Sequence, residues 1–191
     1  MKTKFIFCLL LMLLFPSCMF YSFRGSLPAH IHSISLAPVM NESTEYSTAE
    51  ILNDELNRLM VQDNVLDIVM PNKADSHLEI VITSVTDKPY VVSLAGEFGM
   101  EEVEEWRLTI STRVIWYDIK QDKILLEKSM SSWGVYSPGL DDISTDGLDN
   151  DGDNLIDSDD SDEVGSPRES AMNISVRRLT EEIVREITNT W

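Results

Sequence analysis

Cysteine is nearly absent from this chain of 191 residues, which has only Cys8 and Cys18. Both lie in the first eighteen residues, so the rest of the chain has no thiol for a disulfide, a zinc site or a nucleophile. Histidine is also scarce. The pair His30 and His32 lacks a third metal ligand, so we interpret it as two solvent-exposed imidazoles rather than a metal site. No serine stands in a nucleophile elbow. These absences argue against an enzyme.

Positively charged residues are also few. The chain has 15 Lys and Arg residues against 33 Asp and Glu residues, which gives a formal net charge of −18. A surface of this sign opposes nucleic acid and anionic lipid headgroups as general partners. Any contact with a polyanion would therefore have to be local.

The first residues, MKTKFIFCLLLMLLFPSC, combine a positive start with an apolar run that is too short to span a bilayer stably. This pattern indicates an export signal over residues 1–17 and fits a buried N-terminal helix less well. LFPSC resembles the lipobox of bacterial lipoproteins, which implies that Cys18 becomes the first mature residue and carries acyl chains that anchor it. Met19 is not the aspartate that retains many such lipoproteins at the inner membrane. We therefore expect an outer-membrane location, with a plain secretory signal cut elsewhere as the alternative.

The 174 residues that remain after the signal (191 minus 17), residues 18–191, fit one domain. Alternating patterns predict five strands, over 31–36, 65–70, 78–83, 107–117 and 124–136. Apolar steps of three or four predict helices over about 47–61, where Ser47 and Glu50 form a capping-box pattern, and from residue 167 onward. The predicted order is β-α-β-β-β-β-α. Because each helix has one apolar stripe to bury, we expect an α+β two-layer sandwich, with both helices packed on one face of a mostly antiparallel sheet.

An acidic insertion, residues 139–165, separates the last strand from the last helix. Residues 139–163 hold eleven acids and no Lys or Arg. Their spacing resembles the EF-hand loop and the DNDGDG repeats of calcium-binding proteins, since carboxylates at alternate positions suit a cation that takes six to eight oxygens. The predicted calcium ligands are Asp149, Asp151, Asp153, the Leu155 carbonyl, Asp157 and Asp160. Asn154 replaces the usual glycine and Asp160 the usual glutamate, which predicts a weak site. The alternative is a solvated charged loop, and in either case we expect function to survive its shortening.

Several segments of the mature chain resemble the LptE family, the lipoprotein partner of the lipopolysaccharide transport barrel LptD. The resemblance rests on CMFYSFRGSLPAHIHSISLAPVMNEST, HLEIVITSVTDKPYVV, WRLTISTRVIWYD and ILLEKSMSSWGVYSP, and it covers nearly the whole mature chain except 139–163. It implies a protein without catalytic groups or a required cofactor, anchored by lipid on the periplasmic side of the outer membrane. Such a protein plugs an LptD-like barrel, assists its assembly and contacts lipopolysaccharide.

Three cations are candidates for the lipopolysaccharide contact. Arg107 and Arg113 share the polar face of the predicted strand 107–117, and Lys88 lies beside Pro89 in the preceding loop. Arginine suits phosphate because its planar fork donates two hydrogen bonds. The alternative is a solvated strand face on which the arginines pair with neighbouring acids. For the whole chain, the alternative function is that of another envelope-assembly or calcium-dependent interaction lipoprotein.

Overall fold

A computed structural model of the protein describes residues 27–95, 100–137 and 166–189. Cys18 and the predicted calcium ligands between Asp149 and Asp160 lie outside these residues, so the lipid anchor and the calcium site stay predictions. Among the helices that are described, none has both the length and the hydropathy needed to cross a membrane.

The strands of the described chain form one six-stranded mixed sheet. They are β1 (Ser33–Leu36), β2 (Met40–Asn41), β3 (Asp67–Ile68), β4 (Ser76–Ala95), β5 (Met100–Asp118) and β6 (Lys123–Tyr136). The order across the sheet is β3-β1-β4-β5-β6, and β2 pairs with β4. The long strands β4, β5 and β6 are antiparallel, whereas β1 runs parallel to both β3 and β4. The short N-terminal strands thus add parallel pairing that the sequence pattern did not predict.

Two helices cover one face of this sheet, α1 (Ser47–Asp63) and α2 (Pro167–Asn189), and a short 3-10 helix spans Pro71–Lys73. Both long helices bury an apolar stripe in the common core, formed by Leu52, Leu56 and Met60 of α1 and by Met172, Val176, Leu179, Ile183 and Ile187 of α2. Each of these buried side chains stabilises the fold by about 1.5–3 kcal/mol. The predicted α+β class, with two helices on one face of a sheet, is confirmed.

The two helices begin in different ways. At α2, Ser166 precedes Pro167 and forms a complete capping box with Glu169, whose carboxylate accepts the Ser166 backbone N–H at 3.0 Å. At α1 the predicted capping box of Ser47 and Glu50 is wrong, because the N-cap residue is Tyr46 and it makes no side-chain capping bond. Ser47 is already inside the helix, so its hydroxyl does not occupy the capping position.

The backbones of β6 and α2 approach each other closely at Gly134. A Cβ atom built on Gly134 would lie 2.3 Å from the carbonyl oxygen of Ala171 and 2.9 Å from its Cα. Only glycine fits here without a shift of the helix, and this contact sets the distance between the helix layer and the edge of the sheet.

Candidate functional site

The face of the sheet opposite the helices carries the candidate cations. Along β5, Leu108, Ile110 and Val114 are buried in the core under the helices. Because side chains alternate between the two faces of a strand, Arg107 and Arg113 lie on the other face. We call this side, with its residues from β4, β5 and β6, the open face.

Lys88 lies on the same face, and its predicted place in a loop is wrong. It is an exposed residue within β4, where it pairs directly with Arg107 of β5. The strand continues through Pro89 because a bulge falls between Pro89 and Val91, and a bulge is one of the places where a sheet tolerates proline. The two cations are therefore cross-strand neighbours rather than residues of separate elements.

Two aromatic rings lie against the guanidinium group of Arg107. Its central carbon lies 4.0 Å from the centroid of the Tyr90 ring and 4.5 Å from the centroid of the Trp133 ring. The two rings are 6.2 Å apart and remain 47% and 43% exposed. Contacts of this kind attract a cation electrostatically to the ring faces. Neither aromatic residue was predicted from the sequence, since Tyr90 belongs to β4 and Trp133 to β6.

Arg113 lies farther along the same strand. It is exposed, and its cross-strand partners are Val81 on β4 and Ser129 on β6. Six residues of extended strand separate it from Arg107, which is roughly 20 Å at about 3.3 Å per residue. The open face therefore has a close pair of cations, Lys88 and Arg107, and a third cation at a distance.

The alternative in which the arginines pair with neighbouring acids does not hold within the described part of the chain. No carboxylate there forms an ion pair with Lys88, Arg107 or Arg113. The Nε atom of Arg107 is buried and has no hydrogen-bond partner among the described residues. These three side chains thus have unused donors, which suits an anionic ligand.

A separate polar cluster ties the beginnings of β1 and β4 to the end of β5. Asp118 has a fully buried side chain that contacts His30, so His30 is a half-buried, paired imidazole rather than a solvent-exposed one, whereas His32 is exposed as predicted. Burial alone would raise the pKa of Asp118, but hydrogen bonds from His30 and two backbone N–H groups hold it below its usual value. The hydrogen bond from Lys120, and those from His32 and Ser33, strongly lower the pKa of the neighbouring Asp75.

No metal site is formed around this cluster. In the described ranges there is no group of three His, Cys, Asp or Glu side chains arranged to hold an ion. The backbone N–H of His32 donates to Asp75 at 3.0 Å. The cluster therefore ties the starts of β1 and β4 together.

Arg168 makes a third charged cluster at the start of α2. It donates to Glu45 at 2.6 Å and to Asp87 of β4 at 3.0 Å, and the Tyr136 hydroxyl donates to the same Asp87 carboxylate at 2.9 Å. Burial and the Asp87 carboxylate raise the pKa of Tyr136 to about 12, and the two carboxylates also raise the pKa of Arg168. The cluster joins the last residue of β6 to the first turn of α2, the two elements that precede and follow the acidic insertion in the chain.

These features define a class of protein, a two-layer α+β domain whose helices cover one face of the sheet and whose other face carries cations that form no ion pair with a described carboxylate. The model of the LptE family, described as lipopolysaccharide-assembly, matches residues 31–191. The chain belongs to the LptE family. This is a family of outer-membrane lipoproteins without enzymatic activity or a known cofactor.

Solved structures with a similar fold come from other bacteria. The hypothetical protein CT253 from Chlamydia trachomatis is 13% identical, with a TM-score of 0.54, and the match covers 82% of this chain and 95% of that one. A minor lipoprotein from Acinetobacter baumannii is 14% identical, with a TM-score of 0.45 and coverage of 84% and 92%. No curated protein matches the chain. At these identities the structural likeness concerns the fold alone.

Proposed function

We propose that this protein is a lipid-anchored partner of an LptD-like outer-membrane barrel, and that it supports the insertion of lipopolysaccharide into the outer membrane. Acylated Cys18 holds it on the periplasmic side, and the domain plugs the barrel and assists its assembly. The observation that carries this proposal is membership of the LptE family over residues 31–191.

On this proposal, lipopolysaccharide contacts the open face through Lys88, Arg107 and Arg113. Its phosphate groups are anionic, and guanidinium and ammonium groups bind phosphate through short, charge-assisted hydrogen bonds. The lack of ion pairs between these cations and the described carboxylates supports such a role, because their donors need not be released from an internal partner first. Because the chain as a whole is strongly acidic, such a contact would be local to these cations.

Depletion of the protein and reversal of the three charges test the proposal together. After depletion we expect loss of surface lipopolysaccharide and of correctly folded barrel. The full chain with Lys88→Glu, Arg107→Glu and Arg113→Glu is expected to co-purify with the barrel but to lose at least about tenfold in lipopolysaccharide crosslinking, since even one lost charged hydrogen bond contributes about 1.5–3 kcal/mol.

A matched triple variant controls for the change in net charge. Lys73→Glu, Lys123→Glu and Arg185→Glu reverse three exposed cations away from the open face and should crosslink as the wild type does. If depletion leaves surface lipopolysaccharide unchanged, or if envelopes yield peptidoglycan or a soluble factor instead of a barrel, the chain serves another envelope process. If the open-face triple variant crosslinks as the wild type does, the three proposed contact residues are wrong, but the proposed function still stands.

A further inference from the structure

Two like charges face each other on the open face. Lys88 and Arg107 are directly paired in the antiparallel β4–β5 register, which places their Cβ atoms about 5 Å apart. Like charges in such a pair destabilise a sheet. Neither cation is neutralised by a carboxylate of the described residues. An anion bound between them would remove this repulsion.

The plane of the Arg107 guanidinium group sets how such an anion binds. Its five N–H donors all lie in that plane, so a ligand oxygen approaches the in-plane edge of the group, which is the geometry of bidentate recognition of phosphate. The ring centroids of Tyr90 and Trp133 lie roughly at a right angle to each other as seen from the central carbon, so the rings contact the group from two directions rather than as a sandwich. The Nε atom is buried without a hydrogen-bond partner among the described residues, so the terminal nitrogens would bind the ligand.

We propose that Lys88 and Arg107 together bind one phosphate-type oxyanion, and that Tyr90 and Trp133 are positioning residues that fix the Arg107 guanidinium for it. This inference rests on the proposed function and narrows it, because it assigns a defined site to two of the three cations. Arg113, roughly 20 Å away along β5, does not reach the same anion.

The backbone supports this role for the rings. A register shift between Pro89 and Val91 marks a bulge at Tyr90, and a bulge re-aims the side chain at that position. Trp133 comes from the opposite neighbour of β5, so the guanidinium is held from both sides by separate strands. A long side chain fixed in this way loses less conformational entropy when it binds. Lysine at position 107 would keep the charge but lose the planar fork.

Binding measurements on the full-length protein in detergent test the site with two probes, inorganic pyrophosphate and purified lipid A. We expect Tyr90→Leu, Trp133→Leu and Arg107→Lys each to weaken binding of lipid A about tenfold, the order expected for one charged hydrogen bond. Tyr90→Phe and Trp133→Phe keep an aromatic face and should restore it. Tyr46→Leu and Arg185→Lys alter exposed residues elsewhere and serve as matched controls.

The two probes distinguish the sources of the oxyanion. If pyrophosphate binding falls in the same variants, the site recognises phosphate itself, and if only lipid A binds, it recognises the lipid headgroup; both results support the proposal. Wild-type binding of lipid A by Tyr90→Leu and Trp133→Leu would overturn the positioning role while leaving the proposed function intact. Wild-type binding by Lys88→Glu with Arg107→Glu would overturn the whole site. Thermal unfolding shows whether each variant folds. If Trp133→Leu does not fold, the binding of lipid A by Tyr90→Leu alone tests the positioning role.

Discussion

A single residue can set the distance between two elements of this molecule. Gly134 is the clearest case, because the Ala171 carbonyl occupies the space that a side chain would need. The obstacle is backbone rather than the end of a flexible side chain. A larger residue can be accommodated only if α2 moves away from β6, and α2 carries much of the core.

Gly134→Ala is therefore expected to destabilise the protein by about 1–3 kcal/mol, the usual cost of overpacking. Denaturant unfolding followed by circular dichroism measures this change. Ser131→Ala, at an exposed position of the same strand, provides the control. Equal midpoints for the two variants would mean that the helix shifts without cost and that the close approach is not a constraint.

The sequence placed Arg107 and Arg113 on one face because alternation along a strand requires no knowledge of the partner strands. It could not place Tyr90 and Trp133 around Arg107, since those contacts depend on the pairing register of three strands. The prediction that Lys88 lies in a loop was wrong because of its neighbour. Proline at position 89 usually indicates the end of a strand, but here a bulge allows β4 to continue.

At the scale of elements, the long periodic segments were predictable and the short ones were not. Both helices and β6 follow from apolar periods of 3.6 and 2 residues, whereas only residues 78–83 of β4 and 107–117 of β5 were predicted. β2 is only two residues long, too short to have a period. The parallel pairing of β1 with β4 depends on how α1 leads the chain across the sheet, which no local pattern encodes.

The two elements on either side of the acidic insertion are joined by a cluster that the insertion does not contribute to. Tyr136, at the end of β6, and Arg168, in the first turn of α2, both bind Asp87. Replacing residues 139–165 with a short Gly-Ser linker should therefore leave the unfolding midpoint nearly unchanged, because this cluster still joins the two elements.

The same pair of proteins tests the calcium prediction. Isothermal titration of the full chain with calcium should give heat corresponding to a weak, roughly millimolar site, and the shortened chain should give none. Asp149→Ala with Asp153→Ala is the finer control. Equal heats in the full and shortened chains would place any calcium elsewhere, and no heat in the full chain would leave the insertion as a solvated linker.

For the molecule as a whole, acid stability should depend on the strand tie formed by Asp75 and Asp118. Both carboxyl groups have a pKa below the usual value near 3.8. The unfolded chain therefore binds more protons than the folded one at low pH. The stability that these groups contribute is fully present above about pH 5, and it is lost as the pH falls through the folded pKa values.

Asp75→Asn should lower the free energy of unfolding at pH 7 by about 1–2 kcal/mol, since it removes the charge from several hydrogen bonds, and should flatten its decline below pH 4. Denaturant unfolding between pH 2 and pH 7 measures both effects. Asp63→Asn, at an exposed position, is the control. If Asp75→Asn and Asp63→Asn follow the same pH curve, the cluster does not govern acid stability.

The long β4–β5 hairpin gives the domain two distinct ends. β1 and β4 begin together at one end, next to Asp75, and Lys88 follows Ser76 by twelve residues of strand, roughly 40 Å. With a lipid anchor at Cys18, the nine residues to Leu27 span at most about 30 Å and lead to that first end. On the proposed function, the protein is held at this first end, and the proposed anion-binding residue Lys88 lies roughly 40 Å from it along β4.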